Sequence, residues 1–335
     1  RTLGAGLIVM LAIAAPAVSM RLGMPDATVV DKGAQSRDGS DAVVAAMGPG
    51  AVAPFYVTAP KADAQAITDV IMKDPNAMMA APLGIESSDG RTVVRAFART
   101  GGSSKETQDM TGRLRTAVRE ISPDALVGGP GTQNHDLTDS LISSAPLAIG
   151  LIMIVAFVLL LVVFRSLNIA LASIVLNLIS VGSSFGFATL VFQHGIGAGL
   201  IGIDHQGFID AWAPLFFFAL LFGLSMDYQL FLLAAIKEVH DKTGDAQMAV
   251  REGIARTGRP ITNAALIMIV VFIAFGVTGP IPPTELGITL AVAVLLDATV
   301  IRMMLMPALL GLLGQRAWWL PRWMDRILPK INFSH

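Results

Sequence analysis

Phe222-Gly223-Leu224-Ser225-Met226-Asp227-Tyr228-Gln229 lies inside an apolar run from 212 to 236 whose only charged residue is Asp227. A bilayer core takes roughly 20 apolar helical residues per crossing, so this run is long enough to span a membrane. Working outward from it, five more runs qualify: 2–20, 147–164, 168–192, 260–279 and 285–313. Over the 335 residues, 53% are hydrophobic and 15% are charged, and all but four of the charges lie outside these runs. Soluble chains carry about 25% charged residues, and none of this length can cover six such segments on every side. The composition therefore gives an integral membrane protein and excludes a cytosolic enzyme, a nucleic-acid binder (net charge −1, no basic run) and a disordered chain. The absence of Cys excludes disulfides, thiol catalysis and Cys-ligated metal centres.

Lys and Arg set the sidedness. They gather at Arg1, Arg165, 237–259 and 316–335, whereas the short loops 193–211 and 279–284 have none. Alternating crossings put the basic segments on one face, which is then cytoplasmic, with 21–146 outside. Trp212, Trp318, Trp319 and Trp323 stand where interfacial belts are expected. The stretches 193–211 and 237–259 read as loops, and Gly279-Pro280-Ile281-Pro282-Pro283 as the stop of one helix and the start of the next. Residues 2–20 read as a span, against the alternative of a secretory signal ending near Ala15-Pro16-Ala17. The domain plan is thus 1–20 transmembrane helix, 21–146 extracytoplasmic domain, 147–313 five-helix bundle and 314–335 cytoplasmic tail. The chain opens without a Met, which reads as a fragment or a processed product.

The outside segment holds 12 basic and 15 acidic residues. Its periodicity predicts strands at 51–58, 77–84, 92–99 and 125–127 and helices at 61–73 and 104–121, the βαββαβ order of a ferredoxin-like α+β domain. Many unrelated functions share that order. From Asp136 a helix runs without a break into the span at 147–164.

Four ionisable groups lie at bilayer depth: Asp227, Glu285, Asp297 and Arg302. On insertion scales each costs at least about 2.5–3.5 kcal/mol at a helix centre, so each needs a reason. Asp227 sits past the midplane towards the cytoplasm, beside Tyr228, one of two tyrosines in the chain. A carboxylate in low dielectric can titrate near neutrality and a phenol can donate to its charged form, so the pair reads as a cycling proton site; the alternative is a structural acid kept neutral. Asp297 and Arg302 share the last span. At about 100° per residue they stand about 140° apart and do not pair well; Asp297 is expected to meet a neighbouring helix and Arg302 to snorkel to the inner headgroups. Glu285 is expected to cap the N-terminus of its helix. Asn177 and Ser184, in a third span that also carries Ser180, Gly182, Ser183 and Gly186, are candidates for an accessory polar network with Asp297 and Arg302, while Gly182 and Gly186 read as a helix-packing step. The five histidines show no metal-site spacing, and Gly195-Ile196-Gly197-Ala198-Gly199 reads as a flexible outer loop. No cofactor is implied.

Phe222–Tyr228, with Phe231-Leu232-Leu233 and Ile236-Lys237-Glu238, resembles the tenth-helix signature of the mycobacterial membrane protein large (MMPL) family of RND-superfamily exporters. Val163-Phe164-Arg165-Ser166-Leu167, Ala255-Arg256-Thr257-Gly258-Arg259, Leu295-Leu296-Asp297-Ala298-Thr299-Val300 and Met24-Pro25-Asp26 agree in order. The resemblance implies a pump in the inner membrane, driven by the proton gradient, that exports lipids or other hydrophobic molecules. It makes Asp227 and Tyr228 the proton relay, 21–146 a porter domain and this chain the C-terminal half, helices seven to twelve. The implied partners are a hydrophobic or lipid substrate, membrane lipids and an N-terminal half or equivalent chain. Gln229 departs from the family, where Glu is frequent. Two other classes fit part of the pattern: a half-size RND accessory subunit of protein translocation, and an intramembrane aspartyl protease built on Asp227 and Asp297.

Overall fold

In the computed structural model, residues 2–329 are described apart from 31, 201, 204 and 278. Arg1 and His335, which enter the sidedness and histidine readings, lie outside the described residues. The chain forms two compact units, one of residues 22–143 and one of 1–21 with 144–335.

The membrane unit begins with α1 (Thr2–Ala14), which a 3-10 turn extends to Ser19. Its place in the unit is fixed by small residues. Gly6 lies under the Met304 and Leu305 side chains, and Gly186 meets the Ile13 and Ala14 backbone. Ser183 Oγ also donates to Met10 O at 2.8 Å. Gly182 and Gly186 thus work as a packing step, because a missing Cβ lets two helix backbones touch.

In the 22–143 unit, α2 (Gln35–Met47) precedes β1 (Phe55–Pro60), α3 (Ala64–Ile71), β2 (Ala77–Glu86), β3 (Arg91–Ala98), α4 (Lys105–Ile121) and β4 (Leu126–Gly128). The four strands form an antiparallel sheet in the order β2-β3-β1-β4, with Phe55 opposite Ala96 and Val57 opposite Val94. Alternate strand residues point to one face, so Phe55, Val57, Val94 and Ala96 meet Ile67, Ile71, Met110, Leu114 and Val118 from the two helices. Each large side chain buried there contributes about 1.5–3 kcal/mol. β1 begins later than expected because a 3-10 turn takes Pro49–Val52. Within that turn Gly50 lies against the Ala98 carbonyl, where no Cβ fits.

The remaining membrane helices are α5 (Pro130–Phe164), α6 (Leu167–Ala188), α7 (Ala213–Thr243), α8 (Ala246–Gly276) and α9 (Ile281–Leu296); a π-helical stretch (Asp297–Leu305) joins α9 to α10 (Met306–Leu313), and α11 (Arg322–Ile327) follows. Six helical segments among the described residues are long and apolar enough to cross a membrane, the first Thr2–Ser19 and the last Ile281–Trp318. Several outrun the apolar windows. The 237–259 segment, read as a loop, is the end of α7 and the start of α8, with Gly244-Asp245 alone between them. Its charges are a helix face: Lys237 pairs with Asp241 and Lys242 with Glu238 at i,i+4. Gly244 turns the chain in the left-handed conformation, and the Asp245 carboxylate caps α8 at the Gln247 and Met248 amides.

At the same end of the unit the chain folds back on itself. Arg165 pairs with Asp325, Ser166 Oγ donates to Ala317 O, Lys237 lies over the Trp318 ring, and Gln315 Nε2 donates to Gly244 O. The basic segments after the α5, α7 and α10 crossings are therefore neighbours.

Candidate functional site

α7 carries the motif, and helical geometry distributes it. Successive residues point about 100° apart, so Ser225 and Asp227 face nearly opposite sides and Tyr228 lies between. Ser225 is buried, Tyr228 half-buried and Asp227 exposed on the surface of this unit.

On the buried side the network is continuous. Arg302 Nε donates to Asp297 Oδ2 at 2.7 Å, with side-chain exposures of 3% and 11%. Arg302 Nη2 reaches Ser225 twice, at the carbonyl oxygen and, at 2.9 Å, at Oγ. Ser225 Oγ stands 2.9 Å from both Asp297 Oδ1 and Asn177 Oδ1. A hydroxyl has one proton, so Ser225 donates to one of these two acceptors at a time. Arg302 also lies 5.3 Å from the centre of the Tyr228 ring, a cation–π contact. The Tyr228 hydroxyl donates to Met268 Sδ, 3.4 Å off. A cavity of about 20 Å³ opens among Asn177, Ser225, Tyr228, Met268 and Asp297, room for a single water molecule.

Two expectations about Arg302 are corrected. It pairs with Asp297, and it is buried instead of snorkelling, at 2% exposure. The cause is the π-helical turn that starts at Asp297. Hydrogen bonding from i to i+5 brings residue 302 back over residue 297, where an α-helix would hold them apart. Asp297 does meet a neighbouring helix, through Ser225. Asn177 joins the network, but Ser184 does not: its Oγ donates to Ser180 O within its own helix.

Glu285 is not a cap. It is buried in the second turn of α9, and neither carboxyl oxygen has a hydrogen-bond partner among the described residues. Pro282 and Pro283, in the first turn, lack the N–H groups a capping carboxylate would accept from. Asp210, in the segment before α7, is likewise buried with neither carboxyl oxygen partnered among the described residues.

Sequence reasoning did not assign Ser225 a role, although a serine opposite Asp227 on an otherwise apolar helix is a readable sign of a buried polar contact. Met268 as the partner of Tyr228 and Asp210 as a buried acid carry no such sign.

Six membrane-length helices with an ion pair buried among them define a polytopic membrane protein, and intramembrane charges of this kind mark ion or substrate pathways. The chain belongs to the MMPL family, whose family model matches residues 29–330. It is 35% identical over 339 residues to the heme uptake protein MmpL11 of Mycobacterium tuberculosis (strain ATCC 25618 / H37Rv), covering 97% of this chain and 35% of that protein. It is 34% identical over 345 residues to the mycolic acid-containing lipids exporter MmpL11 of Mycolicibacterium smegmatis, covering 98% and 36%. To the trehalose monomycolate exporter MmpL3 of the same organism it is 34% identical over 221 residues, covering 65% and 22%. The chain spans about a third of the length of the two MmpL11 proteins. These relatives are named for transport, one for uptake and two for export.

Proposed function

We propose that this chain is the C-terminal six-helix half of an exporter, driven by the proton motive force, that moves lipids or other hydrophobic molecules across an inner membrane. The observation that carries the reading is the buried Asn177–Ser225–Asp297–Arg302 network on one side of α7, with Asp227 open on the other. The need for a second half rests on the open side. Phe216, Ala219, Gly223, Asp227, Phe231 and Ala234 form one exposed stripe along α7 at three- and four-residue spacing. A carboxylate facing lipid is costly, whereas Ala219, Gly223 and Ala234 let another helix approach closely. The occupant is a second six-helix half of the same kind.

In this reading Asp227 takes a proton at the interface between halves and loses its charge. The neighbouring turn, with Tyr228 under Arg302 and Ser225 between two acceptors, repacks against α6 and the π-helical stretch. The 22–143 unit is a porter domain of ferredoxin-like arrangement on the extracytoplasmic side, and α5, one unbroken helix from Pro130 to Phe164, carries the shift to it. The basic end of the membrane unit is cytoplasmic by the charge rule. Names given to relatives include both uptake and export; export of a lipid is chosen because two of the three are lipid exporters. A protease dyad is not adopted, since the partners of Asp297 are Arg302 and Ser225.

The test is Asp227→Asn in the full-length protein, reconstituted in liposomes with an imposed pH gradient. Lipid movement driven by the gradient is abolished while the protein remains folded and inserted. Movement at the wild-type rate overturns the reading.

A further inference from the structure

Asp210 and Glu285 lie away from the Asp227 turn, at the end of the membrane unit where α7 and α9 begin. Asp210 is 0% exposed and Glu285 1% exposed, and none of their four carboxyl oxygens has a hydrogen-bond partner among the described residues. They are close enough for the charge of one to act on the other. The Trp212 indole approaches Asp210 and the Asp210 amide approaches Glu285, but neither completes hydrogen-bond geometry. Among the described residues no Lys, Arg or His acts on either carboxyl; Trp212 acts on Asp210, and the Asp210 charge acts on Glu285.

The surroundings offer no substitute. Two residues beyond Glu285, Gly287 is packed against the Phe272 carbonyl and the Gly276 amide, so the α8 and α9 backbones touch there. One helical turn further along α9, on the face of Glu285, the buried Thr289 Oγ1 is also without a partner among the described residues. Two carboxylates held together without cations cannot both be ionised. A hard metal cation takes about six to eight oxygen ligands, far more than two carboxyls supply. One proton needs only the two of them, as an O–H donor on one and an acceptor oxygen on the other.

We propose that Asp210 and Glu285 form a second protonation site, a carboxylic acid and a carboxylate sharing one proton at the end of the membrane unit opposite its basic segments. On the function proposed above, which this step extends, that end faces the side from which protons enter, and the pair loads them ahead of Asp227. Burial pushes the Asp210 carboxyl up to about 6, against the pull of the Trp212 indole, so the site exchanges its proton within the range a membrane gradient spans.

The pair is tested by infrared difference spectroscopy of the full-length protein in lipid nanodiscs, titrated from well below to well above pH 6. The carboxylic C=O stretch is expected to disappear in two steps. In Asp210→Asn one step remains, more than about one pH unit below the upper step of the pair, because no neighbouring carboxylate now opposes ionisation. Glu285→Gln serves if Asp210→Asn does not fold, and likewise leaves one step, with the upper step of the pair gone. In Asp227→Asn both steps persist, which separates this site from the transport reading: loss of transport coupling is read on Asp227, and the carboxyl pair is read here. The proposal is overturned if the step that remains in Asp210→Asn coincides with the upper step of the wild type, if the steps vanish in Asp227→Asn, or if adding sodium or calcium at fixed pH abolishes them.

Discussion

Arg302→Met tests the buried network most directly. The substitution keeps an unbranched side chain of similar reach and removes the cation from a site where Asp297 is 11% exposed and Arg302 3%. Asp297 is then left as a buried carboxylate with Ser225 Oγ as its one donor among the described residues. Removing one partner of a buried pair costs about 3–5 kcal/mol, between about two and four orders of magnitude in the folding equilibrium. Loss of the Tyr228 contact adds to this, by about 0.5–2 kcal/mol. The double variant Asp297→Leu/Arg302→Met behaves differently. It removes both charges together, and Ser225 Oγ keeps Asn177 Oδ1, 2.9 Å away, as an acceptor. Replacing a buried ion pair by apolar residues is neutral to stabilising by about 1–4 kcal/mol, so the double variant is expected to be far more stable than either single one. The assay is equilibrium unfolding in mixed micelles with rising dodecyl sulfate, followed by tryptophan fluorescence. The reasoning fails if Arg302→Met costs no more than an exposed pair, about 0–1 kcal/mol, or if the double variant loses the sum of the two single losses.

Gly287→Ala places a Cβ 2.5 Å from the Phe272 carbonyl and the Gly276 amide, both backbone atoms that no rotamer change can move. A loss of at least about 1–3 kcal/mol is expected in the same unfolding assay, whereas Gly258→Ala, whose nearest new neighbour is Met303 Sδ at 3.9 Å, is expected to gain about 0.5–1 kcal/mol in helix propensity. Within the 22–143 unit, the Arg115 guanidinium bonded to Asp136 holds that carboxyl below its ordinary value of 3.8. A depressed folded value contributes stability that is complete above 3.8 and is lost as pH falls through the lower folded value. Arg115→Ala is therefore expected to speed hydrogen exchange in α4 at neutral pH and to match the wild type in strong acid. Asp136 is half exposed, which keeps the effect below about 1 kcal/mol.

The membrane class was legible from apolar runs alone, because bilayer thickness fixes the length a run must have. The helix ends were not. Lys237, Glu238, Asp241 and Lys242 look like loop residues until their i,i+4 spacing is read as a solvated helix face. Asp297 and Arg302 stood out as charges needing partners, yet their pairing was hidden. Nothing in Asp297-Ala298-Thr299-Val300-Ile301-Arg302 distinguishes an α-turn from a π-turn, and the extra residue per turn decides whether the two side chains meet. Glu285 was misread through its position near a helix start: the proline pair ahead of it removes the donors a cap needs, and tertiary packing then buries it. Ser184 was grouped with Asn177 because both are polar residues of one span, but seven residues along a helix do not fix what each finds to bond. Asn177 meets Ser225 across a helix interface, and Ser184 turns back to its own backbone.

On the proposed reading, α7 couples its two sides through the arithmetic of a helix. Asp227 points out of this unit and Ser225 points in, so the proton-binding carboxyl and the buried network never touch. They share one turn of backbone, whose Ser225 carbonyl is held directly by Arg302 Nη2. A shift of that turn when Asp227 changes charge must therefore move the Arg302 anchor or break it. Breaking it takes the Ser225 carbonyl from Nη2 of a buried guanidinium whose Nη1 already lacks an acceptor among the described residues. Moving it carries Asp297, the π-helical stretch and α10 along as one piece. The second course costs less, because no buried guanidinium N–H loses its acceptor. The π-turn makes that possible: by bringing Arg302 over Asp297 it joins cation and anion within a single element, so α7 meets a paired group and not two separate charges. Had the stretch remained α-helical, Asp297 and Arg302 would each bind a different helix, and any movement of α7 would pull them apart.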